Sequence, residues 1–266
     1  DWDSPNWTKT NLNNAIYIWN PDLQQFATYV FGIGTNGGSR YIASSQAFWV
    51  QTNNSSPSLQ IKESCKVDAD QAFLKQAIND QQLLRIDLQV GSKHDEAVLR
   101  FIDGATSSFD AFFDAHKMSS ADDNLPYLSL VNNTIELAVN SYGLGEYISM
   151  PIKTTTSISG LSTLTFVKEN LEDLSCAILE DLETGIKTDI ITQNTYTFYL
   201  NSSTSDARFI LHIWNTKNKE IIEPSCFESN DASILTNASG NGPWLYNWSN
   251  MNGLIASSSS IDNSNT

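Results

Sequence analysis

The chain has 266 residues, of which 40% are hydrophobic and 11% aromatic, enough for one large or two medium domains with buried cores. Its formal net charge of −15 argues against nucleic acid and against an anionic membrane surface, because both are bound through basic patches. The sequence contains no run of about 18 apolar residues, so we expect no membrane-spanning helix.

Short apolar runs with a period of two residues dominate the first part of the chain, and this pattern is typical of β-strands. Loops rich in Asn, Gly and Ser separate six such runs, which are AIYIWN, FATYVFGIG, YIASSQAFWV, SLQIKESC, LLRIDLQVG and EAVLRFI. Between the fourth and fifth runs, residues 68–80 predict either a short helix capped by Asp68 or Asp70, or an irregular crossing. We expect residues 1–121 to form a jelly-roll-like β-sandwich.

The third run belongs to a stretch, RYIASSQAFWVQT, that lies between two loop-like segments. Under simple alternation Phe48 points to one face, whereas Tyr41 and Trp49 point to the other. Flat exposed aromatic rings stack on sugar rings, so Tyr41, Trp49 and the neighbouring Trp19 are candidate ligand-binding residues. The alternative, that these rings fill the interior of a sandwich, stays open.

The preceding segment GIGTNGGS superficially resembles a phosphate-binding loop. It lacks the Gly-Lys-Ser/Thr ending, and the pattern after it is that of a strand rather than a helix. We therefore expect the glycines to permit positive φ angles in a long hairpin.

The densest group of carboxylates lies in FIDGATSSFDAFFDAHK, which contains Asp103, Asp110 and Asp114. Three acids with a glycine in a loop are candidate Ca²⁺ ligands, although their spacing is not that of an EF-hand. The alternative is that the three aspartates hold turns while the phenylalanines fill the core. We expect His116 to be a surface or partly buried polar residue.

The sequence His94-Asp95-Glu96, together with abundant serines, invites a catalytic triad. The chain has no GxSxG motif and no oxyanion loop to support one. The adjacent acids Glu180 and Asp181 point to opposite faces if they lie in a strand, so they cannot flank one scissile bond. We assign no catalytic residue and expect no enzymatic activity.

Three cysteines, Cys65, Cys176 and Cys226, permit at most one disulfide bond. Buried thiols, a single bridge and a reactive thiol remain alternatives at this stage.

A polar segment around Pro126 predicts a linker, after which about eight strands follow at intervals of roughly ten residues. This spacing is typical of an antiparallel sandwich, and we expect an immunoglobulin-like one at 126–215. Residues 216–238 are a predicted connector. Residues 239–266 are rich in Gly, Asn and Ser, and we expect them to be the first part of a further small β-module.

Several blocks of the chain resemble β-rich regions of large secreted or cell-surface Bacteroidetes proteins, which often precede a type IX secretion sorting domain. The resemblance rests on DWDSPNW, NAIYIWNP, GTNGGSRYIASSQAFWV, EAVLRFIDGATSSFDAFFDAHKM, EDLETG, YTF and RFILHI. In those proteins a strand precedes the first block, so the resemblance implies that the first strand of the first sandwich is missing here. The segment GNGPWLYNWSN is similar to the start of a SprB-type gliding-adhesin repeat.

The expected fold is therefore all-β, with two consecutive antiparallel β-sandwiches and a truncated β-repeat at the C-terminus. The resemblance implies a non-catalytic extracellular adhesive or scaffold module that is either secreted or displayed at the outer face of the outer membrane. Its expected partners are other domains of the same polypeptide, an extracellular glycan or surface, and the type IX secretion machinery during export. The alternatives are a carbohydrate-binding module that uses exposed aromatics and a calcium-dependent adhesion domain. We expect no cofactor except, for the last of these, Ca²⁺.

Overall fold

A computed structural model describes residues 1–68, 81–143, 147–171, 174–201 and 207–215, together with four short strands after residue 218. Within these ranges the chain forms β-strands and one 3₁₀ turn, Glu63–Cys65, and it contains no α-helix. The all-β prediction is confirmed. Except for Asp68, the predicted helix at 68–80 lies outside the described residues.

A four-stranded antiparallel sheet, called the small sheet, has the order β4-β3-β2-β5. Its strands are β2 (Leu12–Asn20), β3 (Gln25–Val30), β4 (Ile33–Thr35) and β5 (Trp49–Thr52). A separate antiparallel pair consists of β1 (Trp7–Thr10) and β6 (Ser58–Ile61). These two strands precede and follow the small sheet in the sequence. One face of the small sheet packs Ile16, Ile18 and Tyr29 against the buried Trp2.

The large sheet contains 11 strands in the described residues, in the order β15-β14-β17-β12-β10-β11-β8-β7-β13-β16, with β9 paired to β11. The strands are β7 (Gln82–Val90), β8 (Lys93–Phe101), β9 (Ala115–His116), β10 (Tyr127–Asn132), β11 (Ile135–Tyr142), β12 (Tyr147–Thr155), β13 (Gly160–Glu169), β14 (Leu174–Asp181), β15 (Lys187–Asp189), β16 (Thr195–Leu200) and β17 (Phe209–Asn215).

The large sheet curls around its own apolar core. In β16 the buried residues Tyr196, Phe198 and Leu200 alternate with exposed threonines and a tyrosine, as the alternating sequence predicts. These side chains share one cluster with Leu84 of β7 and Phe209 of β17, which come from distant parts of the sheet. Each fully buried aliphatic or aromatic side chain of this kind stabilises the fold by about 1.5–3 kcal/mol.

The predicted division at 121–126 falls inside the large sheet. Strands β7 and β8 precede this point, yet they hydrogen-bond to β13 and β11, which follow it. The β8–β11 pair is parallel, with Val98 opposite Val139, whereas the other pairings are antiparallel in the part of the chain that the structure describes. The two predicted sandwiches are therefore not separate layers, because strand alternation specifies which face is buried but not which strands become neighbours.

The two sheets pack face to face through a second apolar cluster. Ala15 and Val30 of the small sheet meet Leu83, Val98 and Val139 of the large sheet there. Buried ionic groups reinforce this contact. The Asp95 carboxylate, fully buried on β8, accepts hydrogen bonds from the Lys117 ammonium at 2.6 Å and from the Asn36 side chain at 2.9 Å.

The predicted strand at 41–50 is mostly wrong. Only its last residues, Trp49 and Val50, belong to β5, whereas 41–48 form turns and irregular backbone. The Arg40 carbonyl accepts a hydrogen bond from the backbone N–H of Trp2 at 2.7 Å, and the Ala43 carbonyl accepts one from the backbone N–H of Gln46. These bonds replace the sheet pairing that the apolar composition suggested.

Further along the chain, two antiparallel hairpins are described. The predicted connector contributes β18 (Lys219–Ile222) and β19 (Ser233–Thr236), and the predicted repeat contributes β20 (Tyr246–Asn250) and β21 (Gly253–Ser258).

Candidate functional site

Three aromatic residues of the small sheet, Trp19, Phe26 and Trp49, form what we call the aromatic cluster. Trp19 lies opposite Phe26 across the β2–β3 pair, and Trp49 lies opposite Tyr17 across the β2–β5 pair. Because alternate residues of a strand share a face, Tyr17 and Trp19 bring the other two rings to the same side of the sheet.

The rings of the aromatic cluster meet edge to face. The Phe26 centroid lies 5.2 Å from the Trp19 centroid at 75° and 5.2 Å from the Trp49 centroid at 89°. Trp49 is 45% exposed, whereas Trp19 and Phe26 are half-buried. Such T-shaped pairs are favourable, so the inner rings fix Trp49 while leaving much of its indole to solvent.

Amide side chains continue the same edge of the small sheet. Gln51 shares a face of β5 with Trp49, and its side-chain oxygen accepts a hydrogen bond from the Asn13 amide at 3.2 Å. Asn13 in turn accepts a bond from the Asn53 amide at 3.1 Å. The edge of the small sheet thus presents an exposed ring followed by the amides of Gln51 and Asn53, with the buried Asn13 behind them.

The structure does not bring Tyr41 into the aromatic cluster. Tyr41 is half-buried beside Arg40, whose guanidinium carbon lies 5.5 Å from the ring centroid. Within the described ranges, Trp19 and Trp49 make their ring contacts with Phe26 and not with Tyr41.

The three predicted calcium ligands do not assemble. Asp114 is fully buried, and its two oxygens accept the backbone N–H groups of Ser141 at 2.7 Å and Asp110 at 2.8 Å. Asp110 accepts the Phe112 N–H, and Asp103 is exposed at a turn with Gly104 at φ 84°. In the described ranges no three His, Cys, Asp or Glu side chains form a group that could hold a metal ion, so the turn-holding interpretation fits these residues.

The side chains of the His94-Asp95-Glu96 sequence have separate structural roles. The Nδ1 atom of His94 lies 3.0 Å from Asp87 Oδ2 on the neighbouring strand, and this hydrogen bond raises the pKa of His94. Glu96 accepts the Arg85 guanidinium at 3.0 Å, and its burial raises its pKa. His116 lies against the Phe109 ring at 4.6 Å, and burial lowers its pKa.

The cysteines that the structure describes are unbridged. Cys65 is buried and Cys176 is partly buried, and both are free thiols. Cys226 lies outside the described residues.

The structure contains a row of three hydrogen-bonded polar side chains that the sequence analysis did not predict. Ser149 Oγ lies 3.3 Å from His212 Nδ1, and His212 Nε2 lies 2.9 Å from Glu180 Oε2, on the adjacent strands β12, β17 and β14. Sequence spacing carries no sign of this row, since it depends on the strand order. Ser149 is exposed and Glu180 is also paired with Lys187, so the hydroxyl end of the row is open to water and lacks the shielded environment that acyl transfer requires.

A polar cleft of about 340 Å³ opens on the outer face of the large sheet, and sequence reasoning missed it as well. Glu136, Tyr127 and Lys153 line it; Glu136 accepts the Lys153 ammonium at 2.7 Å and the Tyr127 hydroxyl at 2.6 Å. Burial acts to raise the pKa of Glu136, but the hydrogen bonds from Lys153 and Tyr127 outweigh it and lower that pKa.

No helix in the described ranges has the length and apolar character needed to cross a bilayer.

Comparison with known proteins places the chain in a family. Residues 4–213 match the family model described as a domain of unknown function, DUF8693. The match runs from before β1 into β17, so it includes both sheets and crosses the predicted division at 121–126. No curated protein and no solved structure matches the chain. The chain therefore belongs to the DUF8693 family of domains of unknown function.

Proposed function

We propose that this chain is a non-catalytic adhesive module of a secreted or cell-surface protein, and that it attaches to glycans through the aromatic cluster. The observation that carries the proposal is the geometry of Trp49, which is 45% exposed on an outer strand and held edge-on by Phe26. An aromatic ring fixed in this way offers an apolar face to the C–H face of a sugar ring.

The row of amides beside Trp49 supports the same proposal. Gln51 and Asn53 lie on the outer edge of the small sheet and can donate to and accept from sugar hydroxyl groups. A ring with adjacent amides matches both parts of a sugar, its apolar face and its polar rim.

The two packed sheets that carry the aromatic cluster are suited to a scaffold role. Arg85 donates to the Gly34 carbonyl at 2.9 Å and pairs with Glu96 at 3.0 Å and with Glu169 at 2.6 Å, which joins the small sheet to the large one. The groups that sequence patterns offered for catalysis hold strands together, which favours a binding role over bond-breaking chemistry.

The location of the protein is part of the proposal. Charged residues make up only 17% of the chain, so Asn, Ser and Thr provide most of its surface polarity. Together with the resemblance to large Bacteroidetes surface proteins, this composition supports export by the type IX route and display at the outer face of the outer membrane. Its partners would be neighbouring domains and an extracellular glycan.

Binding of the labelled chain to a glycan array and to immobilised polysaccharides tests the proposal. We expect Trp49→Ala to weaken binding at least about tenfold, a loss of about 1.4 kcal/mol, because the stacking face is removed. Tyr199→Ala is the matched control, since Tyr199 is 56% exposed but lies on β16, outside the aromatic cluster.

Circular dichroism of both variants checks that the fold is retained. A chain that binds none of the glycans, or equal losses in Trp49→Ala and Tyr199→Ala, would contradict the proposed function.

A further inference from the structure

We infer that the polar cleft at Tyr127, Glu136 and Lys153 is a second sugar subsite, which takes one neutral or amine-bearing sugar residue and disfavours acidic sugars. This inference rests on the proposed glycan binding and deepens it. The volume of about 340 Å³ is at the lower end of the range for small-molecule sites, about 300–1,000 Å³, so the cleft suits a single ring.

Half-buried groups at the base of the cleft are already oriented. Lys153 and Glu136 are 24% and 32% exposed, and their contact uses one of the three ammonium donors. The Tyr127 hydroxyl donates to Glu136, which leaves its oxygen as an acceptor. Ser129 donates to the same carboxylate at 3.2 Å. A ligand hydroxyl can accept from Lys153 without breaking this network, so binding requires little reorganisation.

The walls of the cleft add hydroxyl and carboxylate groups. Ser120, Thr155 and Ser157, which carry hydroxyls, and Asp122 and Asp123, which carry carboxylates, also line the cleft. Together with Glu136 these are three carboxylates against the single Lys153 ammonium, a formal excess of two negative charges. That balance repels uronic acids and accepts neutral or amino sugars, because like charges brought together in a binding site are unfavourable.

The cleft and the aromatic cluster each include one residue from the start of β3. Gln25 lines the cleft, and its side-chain amide donates to the Pro126 carbonyl at 2.9 Å and to the His94 carbonyl at 3.2 Å. The next residue, Phe26, belongs to the aromatic cluster. Because the side chains of consecutive strand residues point to opposite faces, the cleft and the aromatic cluster are separate sites, and each can be tested without the other.

Two matched sugar series test the inference by NMR titration of the isotope-labelled chain. The probes are glucose, glucosamine and glucuronate, and galactose, galactosamine and galacturonate, which change charge while keeping each ring. We expect at least one neutral or amino sugar to shift the backbone amides of Tyr127 and Lys153. The acidic member of that series should bind at least about tenfold more weakly.

Substitutions then separate the cleft from the aromatic cluster. Lys153→Met and, as a second variant, Tyr127→Phe should each weaken monosaccharide binding at least about tenfold. Lys168→Met, an exposed lysine on β13, is the matched control and should bind as the wild type does. Trp49→Ala should keep monosaccharide binding in the cleft while losing polysaccharide binding.

The outcomes distinguish the two claims. If none of the six sugars binds, or if an acidic member binds as tightly as its neutral counterpart, the cleft inference is overturned whatever the array shows. If sugars bind in the cleft but Trp49→Ala leaves polysaccharide binding intact, the cleft inference stands and the proposed role of the aromatic cluster fails.

Discussion

Asp181 and Arg208 form a bidentate ion pair near one end of the large sheet. Arg208 Nε lies 2.9 Å from Oδ1 and Nη2 lies 2.7 Å from Oδ2, and the Tyr196 hydroxyl on β16 donates to Oδ2 at 2.9 Å. The Asp181 side chain is fully buried and that of Arg208 is 7% exposed. This group links β14 to β16, two strands far apart in the sheet order, and so fixes how the sheet curls.

The acid stability of the protein should depend on this pair. Burial acts to raise the pKa of Asp181, but hydrogen bonds from Arg208, Tyr196 and the Glu183 amide outweigh it and lower the pKa from 3.8 to about 2. A lowered pKa stabilises the folded state above pH 3.8, and that contribution is lost as the pH falls toward about 2.

We predict that Asp181→Asn lowers the free energy of unfolding at neutral pH by about 3 kcal/mol, because Arg208 loses its buried bidentate partner and keeps only the half-exposed Glu183 at 2.6 Å. The difference from the wild type should shrink as the pH falls from 3.8 to about 2. Urea denaturation across this pH range measures both effects. Glu63→Gln is the control, since Glu63 is 85% exposed, and it should change stability by less than about 1 kcal/mol. A pH-independent difference would contradict the assignment.

The residues of the candidate sites were only partly predictable. Trp19 and Trp49 could be selected as candidates from an aromatic-rich β pattern, but Phe26 joins them only through the β2–β3 register. The residues of the cleft include Glu136 on β11 and Lys153 on β12, which are half-buried and lie on strands separated by β10, and no local spacing relates them. Sequence patterns therefore indicated the tryptophans of the aromatic cluster, but they indicated neither the residues that surround them nor the cleft.

The glycine-rich segment before residue 40 has two different uses for its glycines. Gly32 and Gly37 have φ angles of 87° and 82°, so the predicted positive φ angles are confirmed there. Gly34 and Gly38 instead permit close backbone approach. A Cβ atom at Gly38 would lie 2.0 Å from the Thr28 carbonyl oxygen, and one at Gly34 would lie 1.7 Å from the Gly38 carbonyl oxygen. Composition alone cannot distinguish these uses, because the second depends on a tertiary neighbour.

We predict that Gly38→Ala destabilises the protein by about 3 kcal/mol, because backbone atoms of β3 must move to admit the methyl group. Gly160→Ala is the matched control, because a Cβ atom there meets nothing within 4 Å, and its effect should be below about 1 kcal/mol. Thermal and urea unfolding of both variants measure the difference. Equal stability of the two alanine variants would show that the β3–β4 region does not pack as described.

At the scale of the whole molecule, the sequence predicts which face of a strand is buried better than it predicts which strands pair with each other. The alternation in TYTFYL correctly gives an inner and an outer face for β16. The parallel pairing of β8 with β11 was not predictable, because a parallel pair requires a long crossover and leaves no turn signature between its strands. The all-β class followed from the strand pattern, whereas the continuity of the large sheet across residue 121 required the structure.

The tryptophan indole N–H signals give the most direct test of the proposed function. Trp2 and Trp7 donate their indole N–H groups to the Asn14 and Asp1 carbonyls at 2.7 and 2.8 Å, so their signals should report on the interior. We predict that the oligosaccharide selected by the glycan array shifts the Trp49 and Trp19 indole signals in an NMR titration and leaves those of Trp2 and Trp7 in place. Saturable binding with unmoved Trp49 and Trp19 signals would contradict the account, because the glycan would then be held elsewhere.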